Sequence, residues 1–426
     1  MKTKINIKEL VVVKNFFYLS LMKISSLALP LLTTPYLIRV IGFDNVGSIN
    51  LAATFMMYLC IIVSYSYIFT GAKFISENRY DTYKLNEYYS TSMSVRLWLL
   101  ILSLIILITI VTCVPNYRNS ELLFYLSFGI VMSHFLMPTW VFQGFETMKY
   151  ITYVDLFSKL IFTILIFTYV NDRNDFYLVP LYNSLGSCIA GFISLYIIRF
   201  KFNLKIDFKS FLNFRRIMWS FKIGKDVFIQ QVYVSLYGPI TILFLGALSS
   251  DISVGYFTVA EKIIYIPLTL VLVAVQAYYP YAVRLYNENI YKYYVQLKYL
   301  IATIFIFMAC VSALLSFYSQ EVYVIITGAK NEHGLLIFNI LLIGLSFSAL
   351  GQLLTQVFVT ANKMRVLKKI SFSIMIITLT LTPLIIIKYD VLGLAIYTVI
   401  RQLIVITLCL YQIIKLRNES LGKVHV

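Results

Sequence analysis

Residues 47–70 read GSINLAATFMMYLCIIVSYSYIFT, a run without one charged side chain, and residues 71–80, GAKFISENRY, then bring Lys73, Glu77 and Arg79. A helix needs about 20 mostly apolar residues to cross the hydrocarbon core of a bilayer. Within that core the backbone must satisfy its own hydrogen bonds, which leaves a helix as the simplest solution for such a run. The charged stretch marks where the run meets water. The preceding segment Val11–Ile41 is similarly apolar, and residues 42–46 between the two carry only Asp44 as a charge. The pair reads as two membrane helices joined by a short turn.

The same alternation extends along the chain. Further spans are expected at Ser92–Cys113, Leu122–Phe142, Ile151–Val170 and Tyr177–Ile198, and then at Val227–Gly246, Val254–Ala282 and Leu297–Phe317. Gly334–Val359, Ile370–Ile387 and Leu392–Tyr411 complete the set. The predicted fold class is an all-α polytopic membrane protein of about twelve transmembrane helices. The densest basic stretch, Arg199–Lys225, is the longest polar connection. It divides the chain into two six-helix lobes, residues 1–207 and 208–426. Each lobe begins with a long helix interrupted by proline, at Pro30 and Pro35 and again at Pro239. Paired Gly/Pro-interrupted spans at matching places in two halves are a mark of transporters built from internal repeats.

Charge supplies the orientation. Of the 36 Lys and Arg residues, 27 fall on the side of both termini and the Arg199–Lys225 stretch, Arg96 among them. Only Arg118, Arg173, Lys330 and Lys388 fall on the other side. Cytoplasmic connections carry the excess of Lys and Arg, so both termini are expected in the cytoplasm. The net charge of +17 has its explanation there, and no nucleic-acid partner is inferred. With 60% hydrophobic and 13% charged residues, against roughly 25% charged in soluble domains, a water-soluble fold is excluded. The tyrosine-rich polar stretches Tyr80–Tyr89 and Tyr286–Tyr299 read as helix ends at headgroup level, in contact with membrane lipid. The N-terminus reads as a retained first span, because Lys14 and Lys23 interrupt what would otherwise pass for a signal-peptide core.

Nothing in the text argues for catalysis. Cys60, Cys113, Cys188, Cys310 and Cys409 are scattered without paired spacing, and His134, His333 and His425 make no metal motif. No phosphate loop, nucleophile elbow or dinucleotide fingerprint is present. The expectation is a non-enzyme with no catalytic residue, no metal and no cofactor, with coupling to H⁺ or Na⁺ left open.

The informative residues are charges inside the spans: Lys23, Arg39, Lys159, Lys262 and Arg401, with the acids Asp155 and Glu261. Each costs at least about 2.5–3.5 kcal/mol at a helix centre, so each calls for a partner, a wet cavity or a ligand. Asp155 and Lys159, four apart with the acid first, suit a local ion pair. Lys23 lies well into a long first span, Arg39 near its outer end, and Arg401 almost centrally in the last span. Glu261 and Lys262 are adjacent and point about 100° apart. Glu261 is open to two readings, a coupling acid or the static partner of Arg401 or Lys23. Five cations against two acids leave the interior positive, which suits an anionic group; Arg and Lys pair strongly with phosphate.

Two segments carry a resemblance. The run Leu29-Pro-Leu-Leu-Thr-Thr-Pro-Tyr-Leu-Ile-Arg39-Val-Ile-Gly42, opened upstream by Asn15-Phe-Phe-Tyr-Leu, resembles the Wzx-type flippases. These are the polysaccharide-transport branch of the multidrug/oligosaccharidyl-lipid/polysaccharide exporter superfamily. Gly255-Tyr-Phe-Thr-Val-Ala-Glu261-Lys262 is similar to the same family. The resemblance implies a protein of the bacterial inner membrane that moves an undecaprenyl-diphosphate-linked oligosaccharide to the outer leaflet by alternating access. The pathway would be O-antigen, capsule or exopolysaccharide synthesis. It further implies association with a polysaccharide polymerase and chain-length machinery. The Arg39 and Glu261–Lys262 motifs carry over residue by residue; Lys23, Lys159 and Arg401 rest on charge alone. Two alternatives stand beside this reading. A cation-coupled multidrug exporter of the same fold is disfavoured by the positive interior, and a membrane polysaccharide polymerase by the lack of a sizeable external loop.

Overall fold

The structure is a computed structural model and describes residues 7–118, 120–207, 213–236, 238–328, 330–361 and 363–422. Among the described residues it is helical throughout, with no strand. The first unit contains α1 (Ile7–Ser64), α2 (Tyr67–Glu77), α3 (Thr82–Cys113), α4 (Pro115–Arg118) and α5 (Glu121–Leu136). It continues through α6 (Thr139–Gly144), α7 (Met148–Tyr169), a 3-10 turn at Arg173–Tyr177, α8 (Leu178–Lys201) and α9 (Phe214–Leu236). The second holds α10 (Ile240–Leu248), α11 (Asp251–Glu288), α12 (Ile290–Phe317), α13 (Ser319–Thr327), α14 (Glu332–Ile343), α15 (Leu345–Thr360) and α16 (Met364–Gly422).

Among the described residues eight helical segments are long and apolar enough to cross a membrane, or nine when Glu332–Ile343 and Leu345–Thr360, bent by 42°, count as one span. Three features separate this from the expected twelve. Both α1 and α16 run on through a single non-helical residue, Gly42 and Asp390, and so each joins two expected spans. The seventh expected span is split between the end of α9 and the short α10. Pro30 and Pro35, expected to interrupt the first helix, lie inside α1, while Pro239 stands at the N-cap of α10.

The reversal at Gly42 is visible in the contacts on either side of it. The Tyr18 carbonyl accepts from Thr152 Oγ1 at 2.9 Å near the start of α7, and Tyr36 donates to the Val170 carbonyl at 2.8 Å just past its end. Beyond Gly42 the chain returns, and the Val63 carbonyl lies 3.4 Å from Arg96 Nε. Gly42 has φ +85°, a conformation L side chains rarely adopt, and a Cβ there would fall 2.8 Å from Asp44 Oδ1. The turn is pinned by the Arg173–Asp44 ion pair at 2.5 Å. At the opposite end of the unit, Asp81 caps α3 by accepting from the Lys84 amide at 3.1 Å. That hydrogen bond holds its carboxyl below the usual carboxylate range.

The first core is aromatic. Trp140 is buried against Tyr67, Tyr88 and Tyr89, with ring centroids 6.0, 5.9 and 6.1 Å away. It packs over Gly71, where a Cβ would sit 2.6 Å from the indole, so α2 and α6 approach to glycine distance. The chain divides by contacts into Met1–Ser235 and Leu236–Val426, later than the 207/208 boundary expected from the basic stretch. The reason is the docking of α9 on the first unit. Tyr65 donates to the Phe221 carbonyl at 2.7 Å, the Tyr67 and Ser220 hydroxyls meet at 2.7 Å, and Arg216 pairs with Glu87 at 2.9 Å. The second unit has its own core, in which Tyr293, Leu354, Phe358, Ile374 and Cys409 are buried together.

Candidate functional site

In the second unit three helix faces converge on one cavity of about 280 Å³. Helix α11 contributes Phe257, Glu261, Ile264, Tyr265 and Leu268; α15 contributes Ser348, Gln352 and Thr355; α16 contributes Thr398, Arg401, Gln402 and Val405. Each set follows the three- and four-residue steps that place side chains on one face of a helix. Arg401 is only 5% exposed, with its guanidinium carbon 6.0 Å from the Tyr397 ring centroid. Glu261 is exposed to the cavity and is attracted first by Arg401 and then by Lys262. Gln352 Oε1 is buried and accepts no hydrogen bond from the protein. The cavity is therefore lined by a guanidinium, a carboxylate, two amides, three aliphatic hydroxyls and the Tyr265 phenol among otherwise apolar residues.

The other expected site residues are distributed differently. In the first unit Lys159 pairs with Asp155 on α7 and donates to Ser26 Oγ of α1 at 2.5 Å. That is the local ion pair the spacing suggested, with α1 added to it. Arg39 is exposed near the Gly42 turn. Lys262, the neighbour of Glu261 on α11, is also exposed. The side chain of Lys23 lies outside the described residues. Arg401 and Glu261 thus share a cavity of the second unit, and Asp155 and Lys159 share a site in the first.

The first unit has a larger cavity of about 770 Å³, with Met57, Cys60, Phe69, His134, Asn183 and Gln231 in its wall. No Lys or Arg is among the described residues lining it. The unit does bury a cation elsewhere, and this corrects the sequence reading. Arg96 was expected among the cytoplasmic loop charges, yet it is 2% exposed inside the core. Its guanidinium donates to the His134 carbonyl and, at 3.4 Å, to the Val63 carbonyl, and it lies 5.8 Å from the Phe135 ring centroid. A proline has no N–H, so Pro138 cannot serve the carbonyl four residues earlier, which is that of His134. On the other side α1 stops at Ser64, and Tyr65 takes φ +46°. Arg96 supplies donors at two interrupted helix ends. The signal available in the sequence was Pro138 in the middle of an apolar run.

Known proteins bear on the whole chain. A solved lipid II flippase MurJ in an inward closed conformation superposes with a TM-score of 0.75 at 15% identity, covering 93% of this chain and 87% of that one. An inward-facing multidrug resistance MATE family transporter of the MOP superfamily gives 0.61 at 17% identity, covering 92% and 98%. At such identities these likenesses establish a shared transporter fold. In sequence the chain is 29% identical over 258 residues to a protein of Escherichia coli (strain K12) named "Putative O-antigen transporter", and the match spans 61% of each chain. The model of the family described as polysaccharide biosynthesis protein matches residues 12–286, which include both segments that resemble Wzx-type flippases. The chain belongs to the polysaccharide biosynthesis protein family, within which its resemblance to the Wzx-type branch falls.

Proposed function

We propose that the protein is a flippase that carries an undecaprenyl-diphosphate-linked oligosaccharide across the bacterial inner membrane by alternating access, and is not an enzyme. One observation carries the reading: in a chain of a polysaccharide biosynthesis family, a buried arginine, Arg401, faces a polar cavity rather than a loop. Such a load bears roughly two negative charges and a hydrated sugar, and the bilayer core solvates neither. Fixed cations and hydrogen-bonding groups in the wall of the path stand in for the lost water, while the polyprenyl tail stays in lipid. Arg401 is proposed as the group nearest the phosphate. Arg39, Lys262 and Lys23 are proposed to add positive charge along the path, and Lys159 to be held in place by Asp155.

Deletion of the gene should leave lipid-linked repeat units on the cytoplasmic leaflet, with susceptibility to cationic drugs unchanged. Lipid-linked intermediates at the wild-type level together with heightened drug sensitivity would instead establish a multidrug exporter. That second reading has the MATE-like fold in its favour. Against it stands Arg401, which lines the same cavity as Glu261 and offsets its charge, leaving no net negative charge there for a cationic drug.

In the same reading both termini and the Arg199–Lys225 stretch face the cytoplasm, and the transporter works beside the polymerase and chain-length machinery that consume its product. Cysteines introduced at Ser249 and Asn116 should react with an impermeant thiol reagent in cells with a permeabilised outer membrane, and one at Asn213 should not. Reversal at any of the three positions breaks the orientation.

A further inference from the structure

Resting on the flippase reading, we propose that the cavity formed by α11, α15 and α16 is a sugar subsite. It would hold the first sugar beyond the diphosphate and thereby select which oligosaccharide is carried. The charge balance of the cavity points this way. Arg401 and Glu261 both line it, so the pair is close to neutral and a doubly charged diphosphate cannot be its whole occupant. What remains is matched to hydroxyl groups. Glu261 brings a planar carboxylate, Gln352 and Gln402 planar amides, and Ser348 a hydroxyl; the Thr355 and Thr398 hydroxyls, which donate to the Gln352 and Leu394 carbonyls at 2.9 Å, are left to accept. Planar carboxylate, amide and guanidinium groups can engage two neighbouring hydroxyls of a sugar ring at once.

Two details narrow the occupant. Gln352 lines the cavity with an Oε1 that is buried and accepts nothing from the protein, so a turn of the amide toward the cavity is rewarded by an occupant that brings a donor. An isolated phosphate dianion has no hydrogen to give, whereas every sugar hydroxyl does. The volume of about 280 Å³ is at the lower edge of the ~300–1,000 Å³ usual for ligand sites. It suits a single ring rather than an extended oligosaccharide. Tyr265, 51% exposed, also lines the cavity and brings an aromatic ring, the kind of group on which the apolar side of a sugar packs. In the substrate the first sugar is bonded directly to the diphosphate, so Arg401 can reach the phosphate while Glu261, Gln352 and Gln402 read the sugar.

The test uses the purified full chain in lipid nanodiscs and two probes: undecaprenyl diphosphate without sugar, and the repeat-unit oligosaccharide released from the host's own lipid-linked intermediate by mild acid. Glu261→Gln and Gln352→Leu should weaken binding of the oligosaccharide about ten- to a hundredfold without weakening that of undecaprenyl diphosphate, which Glu261→Gln should tighten by leaving Arg401 unopposed. Equal weakening of both probes, or of neither, overturns the proposal. Should those variants fail to insert, Ser348→Cys keeps the question open to measurement. Its thiol should be protected from alkylation, read by mass spectrometry, by the free oligosaccharide and not by undecaprenyl diphosphate. Absence of protection by the oligosaccharide overturns the subsite. The flippase reading stands or falls separately, on the leaflet in which intermediates accumulate after gene deletion.

Discussion

Arg401→Ala abolishes polysaccharide export while the protein still reaches the membrane, and Arg401→Lys retains part of the activity. The expectation follows from where the side chain sits. At 5% exposure and in the middle of the expected span Leu392–Tyr411, beyond the break of α16 at Asp390, Arg401 has no short route to the headgroups, so its positive charge is held at depth. A charge at that depth costs at least about 2.5–3.5 kcal/mol on insertion scales, a cost that a merely structural position would have shed. Lysine keeps the charge and loses the planar fork, which explains partial and not full rescue. The measurement is complementation of a strain lacking the gene, with protein level in the membrane monitored in parallel. A second variant separates charge balance from substrate contact. Arg401→Ala leaves Glu261 without its main electrostatic partner, so some loss of protein is expected from the single change. Arg401→Ala combined with Glu261→Gln removes the orphaned charge and should restore membrane levels without restoring export. If the double variant exports normally, Arg401 serves only to balance Glu261 and has no role toward the substrate.

Arg96→Met destabilises the protein by about 2–4 kcal/mol. The substitution keeps much of the length and removes the donors, leaving the His134 and Val63 carbonyls buried without the groups that satisfy them. Each such carbonyl costs about 1–3 kcal/mol, offset in part because a cation no longer has to be kept out of water. The change should appear as a lower Tm of purified protein in detergent, followed through tryptophan emission, since Trp140 belongs to the same core. Arg96→Lys should fall between, because an ammonium reaches one carbonyl more easily than two. A Tm equal to that of the wild type in Arg96→Met would mean that the interrupted ends of α1 and α5 are satisfied some other way. The variant also tests the reassignment of this residue, for a loop cation at the headgroups would tolerate methionine with little effect.

Arg96 and Arg401 show where a sequence reading of this chain succeeds and where it stops. Both are single cations near or within apolar runs. Arg401 was legible because it falls almost at the middle of its run, where no snorkelling path exists. Arg96 was misplaced because it falls near the start of its run, where snorkelling is the ordinary outcome. What draws it inward is the free carbonyl of His134 on a different helix. The missing donor at Pro138 is visible in the sequence; the residue that replaces it is not. The same holds for Gln352, which in the sequence is one more uncharged polar residue within an apolar run. Its orphaned acceptor has meaning only once α11 and α16 close a cavity around it.

By itself the sequence determined that the chain is helical and lies in a membrane, roughly where its apolar runs begin and end, and, through motifs in α1 and α11, which family it resembles. Those properties follow from transfer free energies that add residue by residue along the chain, so no knowledge of neighbours is needed to read them. Only the tertiary structure decided that α9 docks on the first unit, that Asp155 and Lys159 are tied to α1 through Ser26, and that Arg96 is a core residue. It alone brought Glu261 and Arg401 into one cavity. Each of these is a pairing between segments far apart in the chain, fixed by which helix faces fit together and which polar groups are left unserved when they do, and such pairings leave no trace in local hydropathy.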